Sequence, residues 1–274
     1  VWENGLQVNG LQAVNLGHAT TVLLEIDRSR SMAGQSIKDA TAAADRFVKT
    51  KPGGDAIGVL AFGSHALPLT TFSSSTIDAD GALRSLSVDK HPGTALYDAI
   101  VVGANQLSAR TVGGRVLIVL TDGKDVSSKA TLDAAIKAAR SANVAVYPIA
   151  IAGPEYTPQP LQQLAVSTGG SFFRASDSGA LSDVYSRIAS QLSRTWQVSY
   201  LTAARPGDAL KLRVTVPGQG AAARDVQVPA GPGGAVASPG PSRLLPGSFY
   251  SGVGTLVVAM SMAVIVLLGY LLVL

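Results

Sequence analysis

The sequence predicts an α/β protein with an open, mostly parallel central sheet, extended by a small antiparallel β subdomain and a C-terminal transmembrane helix. Three patterns predict it. Between Thr20 and Arg194 buried-strand runs alternate with helical periods, which implies a parallel sheet covered by helices on both faces. After Arg194 the apolar period changes to two, as in a sheet with one solvated face. From Leu244 to Leu274 no charged residue occurs, and about 20 apolar residues suffice to span a bilayer.

Each element follows from its own residues. Asn4-Gly5 between Val1-Trp2-Glu3 and Leu6-Gln7-Val8 is a two-residue hairpin signal. Apolar runs at Val22–Ile26, Ile57–Phe62, Val116–Leu120 and Val144–Ile151 read as buried strands. Ala66–Leu69 is a candidate edge strand and Ser171–Arg174 a short one. Ile37, Ala40, Ala44, Phe47 and Val48 share a helical face, as do Leu132, Ala135, Ile136 and Ala139, and Leu181, Val184, Tyr185, Ile188 and Leu192. Thr94–Ala109 and Pro158–Ser167 complete the helices. The result is a Rossmann-like arrangement. Trp196, Val198 and Tyr200, then Leu210, Leu212, Val214 and Val216, alternate with polar residues, and Arg224–Val228 adds a third run. The Val1–Val8 hairpin is expected to pack with these strands.

The chain therefore divides into an N-terminal β-hairpin segment (1–18), the α/β domain (19–195), the β subdomain (196–228), a Pro/Gly/Ala-rich linker (229–247) and the transmembrane segment (248–274). Phe249, Tyr250 and Tyr270 stand where interfacial aromatics would. No Lys or Arg follows the span, so charge does not orient it. Val1-Trp2-Glu3-Asn4-Gly5 is neither an initiator Met nor a signal peptide, as expected of a fragment or a processed form.

Composition excludes several chemistries. With 274 residues, 47% of them hydrophobic, the chain can bury a full core, and without cysteine it can build no disulfide, zinc thiolate or cysteine nucleophile. A net charge of +4 without a Lys/Arg run gives no footprint for nucleic acid. No Gly-x-x-x-x-Gly-Lys, Gly-x-Gly-x-x-Gly or Gly-x-Ser-x-Gly occurs, so nucleotide, dinucleotide and serine-hydrolase sites are not indicated and no small-molecule substrate is expected.

Three loops carry oxygen donors. Asp27-Arg28-Ser29-Arg30-Ser31 follows the first strong strand, Pro92-Gly93-Thr94 opens a helix, and Thr121-Asp122-Gly123 closes the strand Val116–Leu120. Ligands of open α/β sheets bind beyond the carboxyl ends of the strands, where strand order reverses. If the strands from Val22 and Val116 are central neighbours, Asp27, Ser29, Ser31, Thr94 and Asp122 converge. Such hard oxygens suit Mg²⁺ or Mn²⁺. Singly, each has a local alternative: Ser31 or Thr94 as a helix cap, Asp122 as a turn residue, Asp27 as a cap on loop amides.

The three motifs together resemble the von Willebrand factor type A domain with its metal-ion-dependent adhesion site: an Asp-x-Ser-x-Ser loop, a Gly-Thr turn and a Thr-Asp-Gly turn, in that order. The resemblance covers Ala19 to Arg194. It implies direct ligation by Ser29 and Ser31, direct or water-mediated ligation by Asp27, Asp122 and Thr94, and one open position for an Asp or Glu of a protein partner. The expected role is thus non-catalytic. A haloacid-dehalogenase-like phosphatase is the enzymatic alternative, but it needs a carboxylate where Ser29 stands. With its tethered β appendix the chain also resembles bacterial type A proteins of secretion or Tad-pilus assembly, and those of membrane stress-associated complexes. That context implies an extracytoplasmic type A domain.

Several charged residues stay open. Arg30 stands where the family often has Gly, and Arg28 is also basic; both either face solvent or flank the metal mouth and recruit an acidic partner. Asp125 is either a surface carboxylate or a group supporting a ligand. His18, His65 and His91 lack ligand spacing.

Overall fold

The computed structural model describes residues 1–17, 20–51, 54–110, 113–151, 158–205, 207–218 and 220–228, and the backbone of 255–260. Within it Val14–Gln197 forms one compact unit, and Val1–Ala13 with the residues from Val198 to 228 forms another.

The larger unit is built on a six-stranded sheet. Its strands are β4 (Thr21–Asp27), β5 (Ala56–Phe62), β6 (Ala66–Pro68), β7 (Arg115–Thr121), β8 (Val144–Ile151) and β9 (Phe173–Ala175), in the order β6-β5-β4-β7-β8-β9. All neighbours are parallel except β5 and β6. The edge strand β6 is antiparallel and ends at Pro68, which has no N–H to offer a further strand. The chain runs from β4 outward through β5 and β6, then returns to lay β7 on the other side of β4. Strand order therefore reverses at β4, and Ile26 pairs with Leu120 while Asp27 pairs with Phe62 at the carboxyl ends.

Period-two alternation along β4 sorts its side chains between two cores. Val22, Leu24 and Ile26 pack with Ile37, Phe47 and Val48 of α1 (Gln35–Thr50) and with Val184, Tyr185 and Ile188 of α6 (Leu181–Leu192). Leu23 faces the other way, into the core formed by Leu96, Ile100 and Leu107 of α3 (Leu96–Ser108), Ile136 of α4 (Leu132–Ser141) and Leu161 and Leu164 of α5 (Pro158–Thr168). Each such buried aliphatic side chain contributes about 1.5–3 kcal/mol. Glu25 and Asp27 share the parity of Leu23, so both lie on the α3 side.

One helix of this unit is absent from the sequence reading. α2 (Ile77–Ser85) buries only Ala79 and Leu83, leaves Ile77 exposed and carries Gly81 at its centre, so its apolar period is too faint to find. β3 (Gln12–Asn15) was likewise not expected.

In the smaller unit β1 (Trp2–Glu3) and β2 (Leu6–Gln7) form the expected hairpin, with positive φ at both Asn4 and Gly5, as a type I′ turn requires. β1 pairs with β11 (Ala209–Val216), which pairs with β12 (Gly220–Gln227), and Tyr200 of β10 (Trp196–Leu201), Leu210 and Leu212 fill the core. The hairpin thus packs with the β subdomain as its sequence suggested.

The expected linker, 229–247, lies outside the described residues. Of the expected transmembrane segment, 248–274, only Thr255–Met260 is described, and it is extended, as strand β13. Thr, Val and Leu in a six-residue run suit strand and helix alike. Among the described residues no helix is long and apolar enough to cross a membrane.

Candidate metal centre

The end of β4 delivers Asp27 into a fully buried position. Its Oδ1 accepts the amide of Ser29 at 2.8 Å, and its Oδ2 accepts the hydroxyl of Thr121 at 2.6 Å. Both partners are neutral, so neither bond brings a positive charge to offset the carboxylate's burial. Burial raises its pKa to about 6; hydrogen bonds from Ser29 and Thr121 pull the other way, and the neighbouring Asp122 charge adds to the rise.

After Asp27 the loop closes into one 3₁₀ turn at Arg30–Met32. Ser29 is buried and Ser31 exposed, with their hydroxyls 3.1 Å apart. The Ser31 hydroxyl donates to Asp122 Oδ1 at 2.7 Å. Asp122 lies just past the end of β7, and burial raises its pKa as well. Asp27, Ser29, Ser31 and Asp122 therefore form one connected cluster at the reversal point of the sheet.

Thr94 is buried at the mouth of α3. Its carbonyl accepts the amides of Val126 at 3.0 Å and Ser127 at 3.3 Å, which fastens its turn to the loop that follows Asp122. Gly93 precedes it with φ 124°, and a Cβ there would meet the Ser127 side chain at 2.7 Å. Only glycine fits that turn.

The helix-cap alternatives do not describe Ser31 or Thr94, whereas Asp27 does cap a loop amide, that of Ser29. Ser29, not Ser31, occupies the cap position of the 3₁₀ turn and makes no side-chain cap bond there, and Gly34 stands at the N-cap of α1. At α3 the N-cap is Ala95. The first amides of that helix, Leu96 at 2.9 Å and Tyr97 at 3.3 Å, are taken by Asp125 Oδ1, and the Asp98 amide by the Ser128 hydroxyl at 3.0 Å. Asp98 in return accepts the amides of Lys129 and Ala130. Asp125 is thus neither a free surface carboxylate nor a group bonded to a predicted ligand side chain: it caps the helix behind Thr94. Sequence reasoning missed this lock because its members recur at no fixed interval.

Both arginines bond to residues outside the cluster. Arg28 reaches the carboxylate of Asp89 at 3.8 Å and the Ser87 carbonyl at 3.3 Å, and Arg30 donates to the Lys90 carbonyl through Nε at 3.1 Å. Both arginines thus have a structural role in tying the Asp27–Ser31 loop to residues 87–90. His91 lies on Asp89 and His65 on Ser64, and His18 is outside the described residues.

The donor set fits a hard divalent cation. Among the described residues no three His, Cys, Asp or Glu converge, so a cation here depends on hydroxyl oxygens beside the two carboxylates. Two partly or fully buried carboxylates, both biased toward protonation by burial, are what a divalent charge would relieve.

The family described as von Willebrand factor type A domain matches residues 22–187. No curated protein matches the chain. Among solved structures it resembles BatB from Bacteroides thetaiotaomicron, at 21% identity and TM-score 0.52, covering 64% of this chain and 99% of that one. It also resembles the vWF domain of the type V pili tip protein Mfa5 from Porphyromonas gingivalis, at 14% identity and TM-score 0.52, covering 67% and 96%. Proximal thread matrix protein 1 of the mussel byssus, described with a zinc-occupied MIDAS motif, matches at 20% identity and TM-score 0.57, covering 65% of this chain and 47% of that one. At these identities the likeness establishes the fold.

Proposed function

Because the chain belongs to the von Willebrand factor type A family, we propose that it is a binding module that holds a divalent cation with Asp27, Ser29, Ser31, Thr94 and Asp122 and recognises an acidic side chain of a protein partner. The observation that carries this reading is the cluster at the end of β4 and β7. It joins the buried Asp27 to Asp122 through the Ser29 amide and the neighbouring Ser29 and Ser31 hydroxyls.

Mg²⁺ or Mn²⁺ is the proposed ion, since all five donors are oxygen. A bound ion would supply a strong positive field at the sheet edge, where a partner's Asp or Glu completes its shell. The chain's own residues do the rest. The exposed Ser31 and half-buried Asp122 leave the cluster open toward solvent, while Thr121, buried beneath Asp27, keeps that carboxylate oriented. A binding role is favoured over hydrolysis because Ser29, engaged with Ser31, stands where a phosphatase would place its acid.

Membrane tethering is part of the proposal. It rests on the charge-free stretch from Leu244 to Leu274 and on the linker before it; an extracytoplasmic type A domain is the accompanying proposal, from the family context and not from charge. The resemblance to the Mfa5 protein, named as a type V pilus tip, makes a bacterial envelope assembly the favoured setting. The test is calorimetry of Mg²⁺ and Mn²⁺ against the wild-type chain and Asp27→Ala. Uptake of one ion by the wild type and none by the variant is expected. Equal uptake by both would overturn the assignment.

A further inference from the structure

A second buried carboxylate lies outside the five-residue set. Asp89 is 3% exposed, in the loop between α2 and Thr94. Its Oδ2 accepts the Ser64 amide at 3.0 Å and the Ser64 hydroxyl at 2.8 Å. Its Oδ1 accepts the His91 amide at 3.0 Å and lies 3.2 Å from His91 Nδ1. Its own amide donates to the Arg28 carbonyl at 2.7 Å, and its carboxylate faces the Arg28 guanidinium at 3.8 Å.

These bonds bracket the Thr94 turn. On one side they tie it to the loop between Asp27 and Ser29, through both the backbone and the side chain of Arg28. Arg30 doubles that strap at the Lys90 carbonyl. On the other side Ser64 follows Gly63, whose carbonyl accepts the Ala95 amide at 2.7 Å, directly after Thr94. Burial alone would raise the pKa of Asp89, but the His91 amide and the Ser64 hydroxyl and amide outweigh it and hold the group well below the usual carboxylate range. A carboxylate that remains charged while buried is held by strong, directional bonds, which suits an anchor.

We propose that Asp89 is the positioning residue of the metal centre: by bonding Ser64, His91 and Arg28 at once, it fixes the Thr94 turn against the Asp27–Ser31 loop before any cation arrives. This rests on the reading of the five residues as a cation site. Asp89 does not touch the ion. It acts through Thr94, as groups that orient ligands commonly do, and their loss typically lowers affinity about 10–100-fold.

A double-mutant cycle tests this. Mn²⁺ affinity is measured calorimetrically for the full chain as wild type, Thr94→Ala, Asp89→Asn and the double variant, with the number of waters on bound Mn²⁺ read by proton relaxation. If Asp89 acts through Thr94, each single variant binds about tenfold more weakly, each shows one more bound water, and the double variant is no weaker than Thr94→Ala. Losses that multiply would overturn the proposal, since contributions that do not act through one another add in free energy. So would wild-type affinity in Asp89→Asn. If the wild type takes up no Mn²⁺, the cation reading falls and this inference with it; if Thr94→Ala weakens binding and Asp89→Asn does not, this inference alone falls. Should Asp89→Asn not fold, Ser64→Ala carries the same cycle, because it removes a donor to Asp89 and keeps the charge.

Discussion

Ser31 donates its hydroxyl proton to Asp122 at 2.7 Å, joining two loops that lie 91 residues apart in the chain. The bond shows that the ends of β4 and β7 face each other. It also shows that the Ser31 hydroxyl is not engaged in a helix cap. A cation placed there would exchange this bond for ligation.

That exchange makes Ser31→Ala informative. Ser31 is exposed, so its loss should change stability by less than ~0.5 kcal/mol. Mg²⁺ affinity should fall at least about tenfold, as expected when a ligand rather than a spacer is removed. Calorimetry and a thermal melt on the same sample separate the two effects. A lower melting temperature with unchanged Mg²⁺ affinity would make Ser31 a structural tie only.

Asp27→Asn should separate binding from stability in the opposite sense. The carboxylate is buried with neutral partners, and an amide keeps the shape without the charge. The metal-free variant is expected to melt no lower than the wild type, and the Mg²⁺-dependent rise in melting temperature should vanish. Melting curves with and without Mg²⁺ check both halves.

The raised pKa of Asp27, about 6 against an ordinary 3.8, fixes the sign of two pH dependences. Between those values the folded state retains a proton that the unfolded chain has released. The metal-free protein therefore loses stability as pH rises through that window. Burial of Glu25 acts in the same direction. Cation affinity runs the other way, because proton and ion compete for Asp27: it should be near its plateau at pH 7.5 and about tenfold weaker at pH 5. Titrations at the two values, with melts of the metal-free form, test the pair.

Asp125→Ala should loosen α3 at the end that carries Thr94. Asp125 accepts the Leu96 and Tyr97 amides and the Ser128 hydroxyl, so its removal should cost about 1–2 kcal/mol in global stability. Exchange of the Leu96 and Tyr97 amides should accelerate ahead of global unfolding. Unchanged protection of both would show that the helix start does not depend on this cap.

Much of this architecture was legible in the residues. Short apolar runs rich in β-branched residues, such as Val144–Ile151, read as strands buried on both faces, and the face of α6 follows from Leu181, Val184, Tyr185 and Ile188. The cluster was legible because its donors sit in short, fixed motifs at strand ends. The roles of Asp89, Asp125 and the two arginines were not. Their partners are backbone amides and carbonyls, which every residue carries, and only the folded loops decide which of them meet. α2 escaped because it buries only Ala79 and Leu83, with Ala82 partly covered beside them.

Glu25 gives the last prediction. It stands in the centre of β4, fully buried, with neither carboxyl oxygen hydrogen-bonded among the described residues. Burial drives its pKa well above the usual carboxylate value, so at neutral pH it is held as the acid or carries a heavy desolvation cost. On α3 Gly103 makes room for it: a Cβ there would run into Glu25 Oε1. Glu25→Met keeps an unbranched side chain of similar length and removes the unpaired polar group. It should stabilise the fold by about 1–3 kcal/mol, or roughly 2–12 °C in melting temperature for a domain of this size. Glu25→Ala, which opens a cavity, should do the reverse. Mg²⁺ affinity should be unchanged in Glu25→Met, since the side chain lies beneath the cluster and bonds none of its members. A less stable Glu25→Met with weakened Mg²⁺ binding would mean that this carboxyl, two residues before Asp27, supports the site from below.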